Sequence, residues 1–314
     1  MNLQSLALRS LTDADHPAVA RLLHQSLVSW YERKLGQGAR FGNSPAPFGL
    51  FPKVYAALDP GHAVAACDPA TDELLGVCFV HPRTTHVAVG IVATAPAAQG
   101  RGVARAMLEP VIAAARARGL PVRLVSSLLN LDSFSLYSRL GFVAHTIYQD
   151  LTLNVPATGL AGPAPVRARR VRQVTDVAAA PRLAAFERAW QGIEREQDYA
   201  FFLRNEMGAW RVWVLADASG TLEGFMVASH DPACVMLGPG VARDEEAAAA
   251  LLWTALDAMR GLSPVFLVPN AAAQLVRVAY GWGARNVELH AAQTLGPNAA
   301  ARGIAFPTFL PETG

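Results

Sequence analysis

Two hydrophobic periods alternate along this chain. Short apolar or every-second-residue stretches at Leu6–Ser10, Ala63–Ala66, Leu74–Val80, His86–Val92 and Pro121–Ser127 predict strands. Between them, spacings of three and four predict a helix over His16–Trp30. A second helix is predicted after Val103, with Met107, Leu108, Val111, Ile112 and Ala115 on one side. The order then starts again. A strand at Arg170–Val174 meets an acidic turn, Thr175-Asp176, as Leu6–Ser10 meets Thr12-Asp13. A helix at Val177–Trp190 and a strand pair at Val212–Ala216 and Leu222–Ser229 follow, and strand, helix, strand, helix and strand complete each half. Mixed strands and helices in this order predict an α+β domain present twice. The uncharged, Pro- and Gly-rich segment Asn154–Pro165 reads as a linker, giving domains at 1–153 and 166–314. The first half also carries Gly36–Pro52, which reads as a surface loop or short helix near a substrate mouth.

Composition narrows the class. At 314 residues the chain has room for two domains, each able to bury a core without disulfides or a structural metal. Hydrophobic residues make up 52% and charged residues 17%, so the chain is globular and not disordered. No uncharged run approaches the ~20 residues of a membrane span, and residues 1–5 offer no basic, then apolar, start of a signal peptide. Cys67, Cys78 and Cys234 are odd in number and unpaired in spacing, which suits reduced thiols in a cytoplasmic protein. A net charge of +2 gives no general case for nucleic-acid binding, and the Arg167–Arg172 cluster reads as a solvated strand start.

The stretch most informative about chemistry is Thr85–Arg118. The strand ending near Val92 runs into Gln99-Gly100-Arg101-Gly102-Val103-Ala104 and then into a long helix. Strand, glycine turn and helix N-terminus make an anion site, because the first helical N–H groups lack partners and the dipole is positive there. Gly100 and Gly102 leave room for a diphosphate to approach the backbone, and Arg101 can add a charge-assisted contact. The sequence matches neither the P-loop nor the three-glycine dinucleotide pattern. Downstream, Asn130-Leu131-Asp132-Ser133-Phe134-Ser135-Leu136-Tyr137-Ser138-Arg139-Leu140-Gly141-Phe142 predicts a helix capped by Asp132 or Ser133, burying Phe134, Leu136 and Leu140.

These two segments together resemble the GNAT superfamily of acyl-CoA N-acyltransferases. Gln99–Ala104 is similar to the family's Q/R-x-x-G-x-G/A loop, which binds the CoA pyrophosphate. Asn130–Phe142 is similar to its N-x-x-A-x-x-L-Y-x-K-L-G-F helix, with Ser133 for Ala and Arg139 for Lys. The resemblance covers about residues 1–150 and implies a twisted mixed sheet flanked by helices. It also implies acetyl-CoA as cofactor, held by Gln99, Gly100, Arg101, Gly102, Val103 and Ala104, with the pantetheine arm along Ile91, Val92, Ala93 and Thr94 and a contact from Asn130. Direct attack by an amine is implied, with Tyr137 as the acid that protonates the departing thiolate. The family often places a glutamate base on the strand before the loop. Val87-Ala88-Val89-Gly90-Ile91 supplies none, which leaves His86 and His81 as the nearest titratable groups, each also readable as an edge or surface histidine.

The second half resembles a degenerate GNAT domain, making the chain a tandem type. Matching Ala106-Met107-Leu108 to Ala250-Leu251-Leu252 lays Arg243-Asp244-Glu245-Glu246 over Gln99-Gly100-Arg101-Gly102, so both glycines become acids that repel a diphosphate. Matching Asn130 and Gly141 to Asn270 and Gly281 lays Arg277 over Tyr137 and Trp282 over Phe142. This half would complete the core, an acceptor pocket or a homodimer contact. Trp190, Tyr199, Phe201, Phe202, Trp210 and Trp213 read mostly as core. Three functions stay open at this point: acetylation of a small-molecule amine, acyl-CoA sensing without catalysis, and acetylation of protein lysine or N-terminal amines.

Overall fold

The structure is a computed structural model that describes residues 6–311; the opening residues 1–5, read above for a targeting signal, lie outside it. Within that range the chain forms two compact units. One comprises residues 6–82, 86–122 and 310–311, the other residues 83–85 and 123–309. Sequence repeat and compact unit are therefore different divisions of the chain.

The first unit contains β1 (Ala7–Ser10), α1 (His16–Leu35), α2 (Leu50–Leu58), β2 (Ala63–Cys67), β3 (Leu74–Pro82), β4 (Val87–Thr94) and α3 (Val103–Ala117). Its strands pair antiparallel in the order β1-β2-β3-β4. The α1 residues Val19, Leu22 and Leu23 pack with Val77, Phe79 and Ala93 of the sheet and Tyr55 of α2. The Gly36–Pro52 stretch forms two short 3-10 turns, Gly38–Phe41 and Ala46–Gly49, and runs into α2. It is not wholly a surface loop, because Phe48 is buried in this core. α3 lies so close to β3 that a Cβ on Gly76 would come within 2.8 Å of Val103 Cγ1 and 2.9 Å of Met107 Cε. That approach fixes the start of α3 against the sheet.

The second unit contains β5 (Val122–Ser127, whose first residue belongs to the other unit), α4 (Leu131–Arg139), β6 (Val143–Thr152), β7 (Val171–Val174), α5 (Ala180–Gln191), α6 (Glu196–Arg204), β8 (Trp210–Ala216), β9 (Leu222–Ser229), β10 (Met236–Ala242), α7 (Glu245–Asp257), β11 (Val265–Pro269), α8 (Ala273–Gly281), β12 (Arg285–Leu295) and β13 (Ile304–Phe306). Strand order is β5-β12-β6-β11-β10-β9-β8-β7, with β13 on β10. β6 closes the first sequence repeat, yet it lies antiparallel between β11 and β12 of the second: Tyr148 faces Pro269 on one side and His290 on the other. The Asn154–Pro165 segment lies in this unit, where Val155 joins the core and Leu160 N–H donates to Asp257 Oδ1 at 2.8 Å. Tyr199, Phe201, Phe202, Trp210 and Trp213 are buried as the sequence predicts. Among the described residues no helix is long and apolar enough to cross a membrane.

Candidate acyl-CoA site

The glycine loop lies in the first unit. β4 ends at Thr94, a 3-10 turn spans Pro96–Ala98, and α3 begins at Val103 with Gly102 as its N-cap. Gly100 and Gly102 both adopt left-handed backbone, φ +75° and +83°, where an L side chain is strained. Gly102 offers no capping side chain. Among the described residues no protein acceptor takes the backbone N–H of Gly102, Val103 or Ala104. Three donors therefore point out of a helix start at the positive end of its dipole. The Arg105 guanidinium is held by Glu109 at 2.7 Å, and the Arg101 side chain is exposed beside the turn. A donor-only loop with no carboxylate suits a diphosphate, so the residues present fit the CoA group that the resemblance implies.

β4 supplies Ile91, Val92, Ala93 and Thr94. Its register against β3 shifts from Cys78↔Val92 to Val80↔Val89, a bulge at Gly90–Ile91 that adds twist and redirects the strand. His86 immediately precedes β4 and so stands at the end opposite the loop, roughly 25 Å away along eight strand residues. The edge-or-surface reading of the two histidines is corrected here: His81 and His86 are both fully buried. His81 Nδ1 hydrogen-bonds the Asp59 carboxylate, and its ring stacks on Tyr55 at 5.0 Å. Two-residue alternation alone could not reveal that burial.

The second segment lies in the other unit. α4 is capped by Asn130, whose Oδ1 accepts the Ser133 N–H at 3.1 Å; the cap assigned to Asp132 or Ser133 is thereby corrected to a residue two or three positions earlier. Tyr137 is the buried residue of this helix, edge-on to Phe142 at 5.8 Å, while Phe134, Leu136 and Leu140 are only half-buried. The structure thus brings Ile91–Thr94 and Gln99–Ala104 together in one unit, and Asn130 and Tyr137 together in the other.

No cysteine is poised to carry an acyl group. Burial pushes the Cys78 and Cys234 thiols up to about 12 and raises Cys67, so none is a ready thiolate.

One residue was missed. The Arg33 side chain of α1 donates from Nη2 to Gln99 Oε1 at 3.0 Å. Its basic character at the end of a helix was visible in the sequence, but its nearness to a loop 66 positions later was not.

The second half's counterpart of the loop is differently built. The buried stripe of α3 (Val103, Met107, Leu108, Val111, Ile112) is repeated at the same spacing in α7 by Ala247, Leu251, Leu252, Ala255 and Leu256. α7, however, starts two residues earlier on that register, with Asp244 as N-cap. Asp244 Oδ1 takes the Ala247 N–H at 2.8 Å. Arg167 pairs with Asp244 at 3.0 Å and Glu246 at 2.9 Å, while Arg243 pairs with Asp244 at 3.0 Å and Glu223 at 2.9 Å. Arg170 meets Glu223 at 2.7 Å. The arginine cluster is therefore not simply a solvated strand start: Arg167 neutralises this acidic helix start, and Arg170 pairs with Glu223 of β9. Partial burial works against the Asp244 carboxylate, but the Ala247 N–H and the two guanidinium groups outweigh it and hold it below the usual carboxylate range.

The end of α8 corrects the other register. Gly141 and Gly283 have matching left-handed backbone, φ +94° and +98°, and Phe142 N–H bonds Tyr137 O as Ala284 N–H bonds Ala279 O. Ala279 therefore stands in place of Tyr137, and Ala284 in place of Phe142, not Arg277 and Trp282. The glycine that closes the helix is the one with φ positive, two residues beyond the one chosen by spacing.

Comparison with known proteins agrees with this architecture. Residues 24–142 match the acetyltransferase (GNAT) family. A putative acetyltransferase from Pyrococcus horikoshii is 14% identical, with a TM-score of 0.75 over 99% of this chain and 97% of that one. A GCN5-related N-acetyltransferase from Sphaerobacter thermophilus is 17% identical, with a TM-score of 0.63 over 96% and 99%. A tandem GNAT protein from the clavulanic acid biosynthesis pathway is 16% identical, with a TM-score of 0.59 over 94% and 100%. No curated sequence matches. The GNAT family model thus matches residues 24–142, and the chain as a whole shares the α+β fold of these solved structures.

Proposed function

We propose that the protein moves an acetyl group from acetyl-CoA to a small-molecule amine, using one cofactor site in its N-terminal half. The observation that carries this reading is the Gly102-capped, donor-only start of α3 inside the family-matched segment. Acetyl-CoA supplies the acyl group as an activated thioester. Backbone N–H groups of Gly102, Val103 and Ala104, with Arg101, hold the diphosphate, and the β4 backbone from Ile91 to Thr94 aligns the arm. Asn130 caps α4 and so orients Tyr137, whose hydroxyl gives its proton to the departing sulfur. A phenol of pKa near ~10 is matched to a thiol of ~8.5. With no cysteine held as thiolate, direct attack by the amine nitrogen is the simpler route. Its proton leaves through water or through His86, the weaker base candidate at the far end of β4.

In this reading residues 1–153 form the working domain, 154–165 the connection and 166–314 the degenerate domain, in a cytoplasmic protein. The test is calorimetric titration of acetyl-CoA into wild type and Gly102→Glu. One site per chain with affinity lost at least about 100-fold in the variant is expected, because the carboxylate sits on the anion site. The left-handed position adds roughly 1–2 kcal/mol of strain, which the fold should tolerate. Undiminished affinity in Gly102→Glu would show that the diphosphate lies elsewhere. An acyl-CoA sensor would bind equally well but release no CoA with any amine.

A further inference from the structure

α1 offers its sheet-facing stripe at spacings of three and four. Val19, Leu22 and Leu23 enter the core, Trp30 is buried further along, and Arg33, three residues after Trp30, is exposed. α1 also packs against the Pro96–Ala98 turn that leads into the loop. Gly36 stops the helix in left-handed conformation, so Arg33 lies in the last turn.

The contact at Arg33 has a direction. A guanidinium only donates, so the Gln99 atom it meets is the amide oxygen, and the amide nitrogen must face the other way. That leaves the two Gln99 amide hydrogens and the other guanidinium hydrogens as donors at the first position of the loop that ends at Gly102, Val103 and Ala104. Every group so presented is a donor, and one carries a full positive charge. In the family pattern the first loop position is Gln or Arg. Here Gln99 is neutral, and a cation reaches the same place from another element.

We infer that Arg33 is a diphosphate-positioning residue: it fixes the Gln99 amide with its nitrogen toward the phosphate and supplies the charge that Gln99 lacks. This rests on the acyl-CoA reading above. Its ligand chemistry is an anion with several acceptor oxygens; the amine substrate, a donor and cation, is not suited to it.

The experiment compares wild type, Arg33→Gln and the double variant Arg33→Gln/Gln99→Arg, using acetyl-CoA and S-acetyl-pantetheine, which lacks the diphosphate. Charge-assisted hydrogen bonds of this kind lead us to expect about tenfold weaker acetyl-CoA binding in Arg33→Gln. Its dependence on salt should flatten, since one charge fewer is screened. S-acetyl-pantetheine should be used by both proteins with equal kcat/KM, and the double variant should regain most of the acetyl-CoA affinity. Equal acetyl-CoA affinity and salt dependence in wild type and Arg33→Gln would overturn the inference while leaving the acyl-CoA reading standing. Equal weakening toward both donors would also overturn it, since Arg33 would then act through the fold. Failure of wild type to bind acetyl-CoA would sink the acyl-CoA reading and this inference with it.

Discussion

Two helix starts in this chain derive from one pattern and have opposite chemistry. α3 begins at a left-handed glycine with three N–H groups unclaimed among the described residues; α7 begins at an aspartate whose side chain takes the Ala247 N–H. The buried stripes of the two helices agree residue by residue, so packing against a sheet has been kept in both. The exposed tip differs. An unclaimed helix start is a local defect in stability that becomes useful when a ligand completes it. Asp244, Glu246 and their arginines complete the other start permanently. The same contrast runs through α4 and α8, where a buried tyrosine is replaced by Ala279. One repeat keeps unsatisfied or ionisable groups at these two places, and the other has filled or removed them.

The largest effect expected from breaking this contrast, beyond the loop variant above, is at Tyr137. Tyr137→Phe keeps the ring packed on Phe142 and removes only the hydroxyl. If that hydroxyl is the acid, turnover should fall about 100-fold or more, with acetyl-CoA affinity unchanged. Steady-state rates alongside calorimetry decide it, and unaltered turnover would move the protein toward sensing or toward a different acid.

Much of this contrast was legible beforehand, for identifiable reasons. Strand and helix existence followed from period, and the glycine loop from residue types that few other structures need. The failures were of two kinds. Registers chosen by counting between like residues slipped by two at Gly281, because sequence shows a glycine but not the sign of its φ. Burial and pairing across sequence distance were the other kind. His81 and His86 lie inside, Arg167 and Arg170 meet carboxylates more than fifty positions away, and Arg33 meets Gln99. β6 likewise leaves its own repeat to pair with β11 and β12, an exchange no local pattern encodes. α6, a nine-residue helix, was also missed, its apolar residues Tyr199, Phe201, Phe202 and Leu203 being too bunched to show a period.

A smaller effect tests whether the second helix start is structural alone. Asp244→Ala removes the cap from Ala247 N–H and one partner from each of Arg167 and Arg243. Lost caps cost about 1–2 kcal/mol, and each kcal/mol lowers Tm by roughly 2–4 °C in a unit of this size. Acetyl-CoA stoichiometry should stay at one per chain. A second site appearing in the variant would mean that Asp244 had been blocking a site still able to bind.

The smallest effect separates the cap from the charge. Asp244→Asn keeps an acceptor for Ala247 N–H, so what it removes is the attraction to Arg167 and Arg243. Asp244 has its carboxyl below the ordinary range in the folded chain. A group depressed in this way contributes stability above its unfolded pKa of about 3.9, and the contribution disappears as pH falls through the lower, folded value. The Asp244 side chain is 38% exposed, so solvent screens the pair and the contribution at pH 7 should be under about 1 kcal/mol. Thermal melts of wild type and Asp244→Asn should therefore differ by a degree or two at neutral pH and converge as the solution is acidified below about pH 4. A difference that persists undiminished into acid would assign the contribution of Asp244 to the shape of its cap, leaving the arginines as neighbours without energetic consequence.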